Sequence, residues 1–415
     1  MQTEAVTPPQ IAALAPRAQH WGFRRNLLRP ADSHRADRVT YIELFFDLIF
    51  VLALTQLSRS LSENQTLVGA LEFAILMLAI WWIWVYTTWV TNWLNPVRLP
   101  VRGIVIGLSF IGLVMSASLY ESFGDRGIIF AAAYVSVQLG RTVFMLLAVV
   151  RHDPVLHRTF VRILIWLSVA SIFWIVGAFL PPEPRLLLWA IALGIELLSA
   201  GLGFRVPGLG RSGVEDWDLS GPHIAERSAL FVIIALGESL LVTGFAFVEE
   251  DTSPQTITGM FLAFVTGVAM WWLYFDHAER VGRRAIAAST SPGRVARLAY
   301  TYVHAIIIAG IVLTSVADKA IILHPDDEMT TATTVLAVGG PLLYIAGLLV
   351  FRLVVANELL VAHLVGIGLL VAVIPFASLL SPLGLGIVTT GILVITASWE
   401  TIVRLREGTT DTDAG

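Results

Sequence analysis

The chain contains no cysteine, which excludes disulfide frameworks, thiolate metal sites and catalytic thiols. Charge is also scarce. Asp, Glu, Lys and Arg make up 14% of the 415 residues, where soluble domains carry about a quarter. There is no Gly-rich phosphate-binding motif and no nucleophile elbow, which argues against an ATP-driven pump acting alone. No two histidines stand four apart on one helix, the spacing that would converge on a metal. No metal, cofactor or nucleic-acid partner is therefore expected. The first 40 residues lack the apolar stretch and small-residue cleavage site of a signal peptide and read as a polar, Arg-rich cytoplasmic tail. Within it Trp21, Phe23, Leu27 and Leu28, set among Arg24, Arg25 and Arg29, suit either an interfacial helix or an unstructured tail.

Apolar residues, by contrast, are abundant at 56%. They recur in runs near the roughly 20 residues needed to cross a bilayer. Twelve spans are expected, near 41–61, 67–93, 103–120, 128–150, 160–180, 186–203, 223–247, 256–275, 298–323, 331–351, 358–380 and 384–402. The fold class is thus all-α, a polytopic membrane protein whose immediate partner is the lipid bilayer. With the amino terminus inside, 21 of the 27 Lys and Arg residues fall on inner segments. The acidic clusters 249–251 and 326–328 then fall outside. By the positive-inside rule both termini are expected to be cytoplasmic, in a cell (inner) membrane.

The two halves resemble each other weakly. Residues 41–56 align without gaps to 223–238, keeping Ile42/Ile224, Leu48/Leu230, Ala53/Ala235 and Leu54/Leu236. Trp81-Trp82 in the next helix matches Trp271-Trp272. The expected organisation is a tail (1–40), a six-helix repeat (41–203), a connector (204–222), a second, parallel repeat (223–403) and a C-terminal tail (404–415).

Ionisable groups inside apolar spans cost roughly 2.5–3.5 kcal/mol each on insertion, so those present call for a role. Glu43 and Asp47, four apart, share a face of the first helix. His223, Glu226 and Arg227 open the seventh, and Glu238 lies three turns beyond Arg227 on the same face. Arg141, His304, Asp318 and His363 stand within other spans, and Glu196 and Glu400 in the last helix of each half. Asp47, Glu238 and Glu43 are the candidates for proton or ion coupling; Arg227, Arg141 and Glu226 are those for ion pairing or gating. His223, His304, Asp318 and His363 are secondary candidates, the lone His304 and His363 suiting hydrogen-bonded core positions better than ligand roles. The tryptophans at 81, 82, 84, 89 and 93 read as helix packing and an aromatic belt.

Two stretches carry a resemblance to a known family: residues 43–51, Glu-Leu-Phe-Phe-Asp-Leu-Ile-Phe-Val, and residues 223–238, opening His-Ile-Ala-Glu-Arg and closing Ala-Leu-Gly-Glu. They resemble the hallmark segments of the bacterial low temperature requirement protein A family. The resemblance implies a polytopic inner-membrane protein named for a growth phenotype; it supplies no reaction. A narrower likeness, Phe45-Phe46-Asp47 followed by Thr55, is to the opening of each half of endolysosomal potassium channels. Phe46 and Ala229 depart from that pattern, and no role is carried over from it.

Parallel six-helix halves favour a secondary transporter of an unknown solute or ion, with proton coupling through Asp47 and Glu238 held by Arg227 and Arg141. A carboxyl withdrawn from water in such a setting suits reversible protonation. A cation channel lined by Thr55 and Ser58 is the alternative. Two further readings are a membrane-embedded enzyme on a lipid-type substrate, using His223, Glu226, Asp276 and His277, and a stress-adaptation protein without transport.

Overall fold

Many helix starts in this chain are written as a hydroxyl or carboxylate side chain followed by proline. Asp153 precedes Pro154 and accepts the backbone N–H groups of Val155 and Leu156. Ser253 precedes Pro254 and accepts from Thr256, while Ser220 precedes Gly221-Pro222 and accepts from His223. Such a side chain satisfies an amide that the helix leaves unpaired, and proline in the first turn forfeits nothing. At Thr40 the cap is Glu43, whose carboxylate accepts both the Thr40 N–H (2.9 Å) and its hydroxyl (2.7 Å).

A computed structural model describes residues 26–29, 39–213, 217 and 219–412, with side chains to residue 406. Among the described residues, twelve helices are long and apolar enough to cross a membrane. They are α1 (Tyr41–Glu63), α2 (Leu67–Trp93), α3 (Leu99–Ser118), α4 (Gly127–Val149), α5 (Pro154–Ala178) and α6 (Pro182–Gly201). The series continues with α7 (Gly221–Glu249), α8 (Pro254–Ala288), α9 (Pro292–Leu323), α10 (Thr331–Ala356), α11 (Val361–Leu379) and α12 (Pro382–Thr412). The described residues contain isolated bridges but no strand. The architecture is that of an all-α, multi-pass membrane protein.

Several boundaries depart from expectation, among them α12, which runs on to Thr412 through most of the expected C-terminal tail rather than ending at 402. α3 and α5 begin earlier than hydropathy places them, with Pro100 and Pro154 in their first turns. α8 continues thirteen residues past the expected end at 275, and α9 begins at Pro292 rather than 298. The inner loop expected between them is therefore mostly helix. Hydropathy stops at the first charges, but on an exposed helical face Asp276–Arg280 and Glu279–Arg283 form i,i+4 pairs that support the extension. Both helices contain a π-helical stretch here, Leu273–Ala278 in α8 and Ala296–Val303 in α9.

Within the first six helices, α1 packs on α2 and α3, α2 on α4 and α6, and then α3 on α4, α4 on α5 and α5 on α6. Within the second six, α7 packs on α8 and α9, α8 on α10 and α12, and then α9 on α10, α10 on α11 and α11 on α12; here α8 also packs on α9, and α12 on α9 and α10, which the first six do not match. α1 meets α7 and α9 across the middle, and α2 touches both as well. α9 and α10 approach closely because Gly310, Gly340 and Gly347 leave no side chain between them; a Cβ on Gly310 would lie 2.6 Å from the Tyr344 backbone nitrogen. Apolar side chains left exposed, such as Phe110 on α3, Ile172 on α5, Phe261 on α8 and Ile395 on α12, form the lipid-facing surface.

The tail reading is corrected where it can be seen. Leu27, Leu28 and Arg29 are not helical; Leu28 bridges Leu94 and the Arg29 N–H donates to Trp93, so this stretch pairs with the end of α2. Trp21, Phe23, Arg24 and Arg25 lie outside the described residues. Of the tryptophans read as helix packing and an aromatic belt, Trp81, Trp82 and Trp84 are each 1% exposed and serve packing in the protein interior.

Candidate functional site

α1 and α7 lie side by side and parallel, joined by three contacts that each link residues 180 apart: Glu43 with His223, Asp47 with Arg227, and Ser58 with Glu238. Near the start of both helices the seam carries a buried charge cluster. The Arg227 guanidinium donates to Asp47 Oδ1 (2.5 Å), Glu43 Oε1 (3.3 Å) and Thr91 Oγ1 (3.2 Å). Asp47 Oδ1 also accepts the Trp84 indole N–H (2.8 Å). Glu43 Oε1 accepts from Arg29 (3.1 Å) and His223 (2.9 Å). Because the Ser220 N–H can only donate, it fixes Asn92 Oδ1 as its acceptor and leaves Asn92 Nδ2 to donate to His223 Nδ1 (3.1 Å). His223 therefore offers its Nε2–H to Glu43. Glu43 is fully engaged, whereas Asp47 Oδ2 is buried with no hydrogen-bond partner among the described residues.

Eleven residues further along each helix the seam holds Glu238. It accepts from Ser58 (3.1 Å) through Oε1, and Oε2 is buried without a partner among the described residues. Among the described residues the expected support from Arg227 or Arg141 does not reach it: Arg227 is committed to Glu43 and Asp47, and the acceptors of Arg141 lie elsewhere. Arg141 donates to Gln138 Oε1, Thr87 Oγ1 (3.2 Å) and the Ile83 carbonyl (3.4 Å), with its guanidinium 5.1 Å from the Tyr86 ring centroid. Gln138 in turn donates to Glu196, which also accepts from Tyr134 (2.7 Å) and Trp174 (2.9 Å). The carboxylate sought for Arg141 is thus reached through an amide rather than by direct contact.

The remaining candidates separate. Glu226 is half-buried and accepts the Val39 N–H (3.3 Å), outside the charge cluster. Asp318 on α9 is buried, and its Oδ2 is unpartnered among the described residues. His304 accepts the Tyr274 hydroxyl at Nε2 (2.8 Å) and donates from Nδ1 to the Ala299 carbonyl (2.9 Å), a neutral core histidine linking the two π-helical stretches. His363 contacts Glu400 (3.1 Å). The four residues of the enzyme reading do not converge: Asp276 and His277 bond Arg404 of α12, while His223 belongs to the α1–α7 seam. Sequence reasoning missed Trp84, Thr91 and Asn92, although their recurrence along one apolar helix was a signal. It also missed the cage around Glu196, announced by Tyr134, Gln138 and Arg141 at helical spacing.

The family model described as Bacterial low temperature requirement A protein (LtrA) matches residues 38–398. The chain belongs to the LtrA family. A similar relative, described as an uncharacterized protein, comes from Rhizobium meliloti (strain 1021); it is 37% identical over 395 residues, covering 94% of each chain. No solved structure matches. The LtrA match takes in Glu43, Asp47, Trp84, Thr91, His223 and Arg227 but not Arg29, and ends two residues short of Glu400.

Proposed function

We propose that this LtrA-family chain is a proton-coupled secondary transporter, built as two parallel six-helix repeats that meet along the α1–α7 seam. The observation that carries the reading is a pair of buried carboxylate oxygens, Asp47 Oδ2 and Glu238 Oε2, each without a hydrogen-bond partner among the described residues. They sit on one seam, Asp47 beside Arg227 and Glu238 eleven residues beyond Arg227, or roughly 16 Å along α7. An unpartnered carboxylate oxygen in an apolar bundle is costly, and binding a proton or a cation relieves that cost. The repeated packing order of the helices supports the two-repeat arrangement, and carriers of that design place their site where the halves meet. On this reading Arg227 neutralises Asp47 between cycles, and both termini are cytoplasmic, as the arginine distribution favours.

The test is proton movement into proteoliposomes holding the purified chain, read with an internal pH dye under an imposed potassium gradient. Influx abolished in both Asp47→Asn and Glu238→Gln is the expected result. Influx retained in either variant removes that residue from the pathway. A wild type that conducts protons passively at a rate independent of any counter-solute favours a channel instead.

A further inference from the structure

At the end of the bundle where α2 and α6 finish and α5 and α9 begin, the two halves form a partly open cavity of about 60 Å³. Trp89, Trp93, Phe204 and Trp217 line one side, with Tyr302 and Arg297 of α9 opposite. The rings hold one another in place: Trp217 of the connector lies edge-on to Trp89 at 5.0 Å and 5.6 Å from Trp93. Arg297 is half-buried, makes no hydrogen bond or ion pair among the described residues, and has no acid beside it among the lining residues.

These features narrow the occupant. The cavity volume is far below the roughly 300–1,000 Å³ of a site that engulfs a whole small molecule. It admits a short apolar segment of something larger. The apolar walls would leave the space dry without such a segment. An aromatic box alone would suit a quaternary ammonium group, but the guanidinium at its rim, which pairs with no acid among the described residues, opposes a cation and calls for an anion. The site also lies at the ends of four spans, the level at which a phospholipid carries its phosphate.

We infer that this cavity is a binding site for an anionic phospholipid, with the phosphate on Arg297 and the first part of one acyl chain among the rings. It lies apart from the α1–α7 carboxylates and does not depend on the transport reading. The site would tie the halves together through a bilayer component where Trp217 and the start of α9 meet.

Native mass spectrometry of the purified full-length chain tests it, with phosphatidylglycerol and phosphatidylcholine titrated separately in detergent. Wild-type chain should retain about one phosphatidylglycerol in preference to phosphatidylcholine. Arg297→Gln should lower that retention about fivefold, the scale of one basic residue at an anionic surface. Arg297→Lys should keep most of it. Val85→Phe, which fills the cavity while leaving Arg297 in place, should lose the lipid too. Equal retention of the two lipids by wild type overturns the inference. So does unchanged phosphatidylglycerol binding in Arg297→Gln or Val85→Phe, or full displacement of the lipid by millimolar inorganic phosphate, which would mark a soluble-anion site.

Discussion

Removing Arg227 and Asp47 singly and together separates an energetic pair from a coincidence of packing. In Arg227→Gln, the Asp47 carboxylate keeps only the Trp84 indole as a donor, while Glu43 retains Arg29, His223 and Thr40. A buried charge left without its partner typically costs about 3–5 kcal/mol. Asp47→Asn is milder, because Arg227 still reaches Glu43 and Thr91; about 1–3 kcal/mol is expected for the lost charge-assisted bond. The double variant removes cation and anion together and should cost clearly less than the sum, with a coupling near the upper end of the roughly 0.5–3 kcal/mol seen for contacting residues. Unfolding in mixed micelles titrated with SDS, followed by far-ultraviolet circular dichroism, gives the three values. Additivity within about 0.5 kcal/mol would refute the assignment of this pair as the core of the seam.

Three further variants and one control follow from the structure. Glu43→Gln weakens an acceptor shared by Arg29, His223, Arg227 and Thr40, so it should destabilise by about 3–5 kcal/mol and by more than Asp47→Asn in the same titration; an equal or smaller cost would show that the cluster is supported elsewhere. Gly340→Ala places a Cβ 2.6 Å from the Thr314 backbone nitrogen and should cost about 1–3 kcal/mol by forcing α9 and α10 apart. Gly339→Ala, with nothing within 4 Å of its Cβ, is the control and should leave the thermal midpoint nearly unchanged. Tyr134→Phe deletes one of three donors to Glu196 and should cost about 1.5–3 kcal/mol if that carboxyl is charged, measured by the same unfolding curve.

The number of helices was legible because each apolar run has to satisfy its own backbone in lipid, which leaves one solution per run. The acids and bases of the seam were legible for a related reason, since charge in a span is costly enough to be rare. What stayed hidden depended on three dimensions. Trp84 and Thr91 are ordinary residues of an apolar helix until α2 is set against α1 and α7, and only then do they become a donor to Asp47 and an acceptor from Arg227. Ser58 gave no sign that it would be the partner of Glu238. Arg141 shows the limit of pairing by charge alone, because a neutral amide, Gln138, stands between it and Glu196. The extension of α8 was missed because hydropathy reads Asp276 and Arg280 as the start of a loop, when four-residue spacing lets them pair on a helix.

The proposed repeat also bears on which end of the seam opens first. Positions facing each other near a two-fold axis would crowd like charges if the halves were identical. Opposite Glu43 and Asp47 the alignment places Ala225 and Ala229, and opposite Arg227 it places Phe45. The acids thus come from the first half and Arg227 and His223 from the second, with Arg29 of the tail added, and at this end the halves are latched by charge-assisted bonds. Towards the far end the polar tie among the described residues is the hydrogen bond between Ser58 and Glu238, which is weaker. A carrier whose halves rock about this seam should therefore part at the Ser58 end at lower cost. The chain has no cysteine, so single-cysteine variants report that opening without background. Leu61→Cys and Ala225→Cys, both buried here, should react with a water-soluble maleimide at different rates, Leu61→Cys being the faster by about tenfold for each 1.4 kcal/mol of difference in opening. Equal rates, or faster labelling at Ala225→Cys, would show that the ion pairs do not hold that end closed.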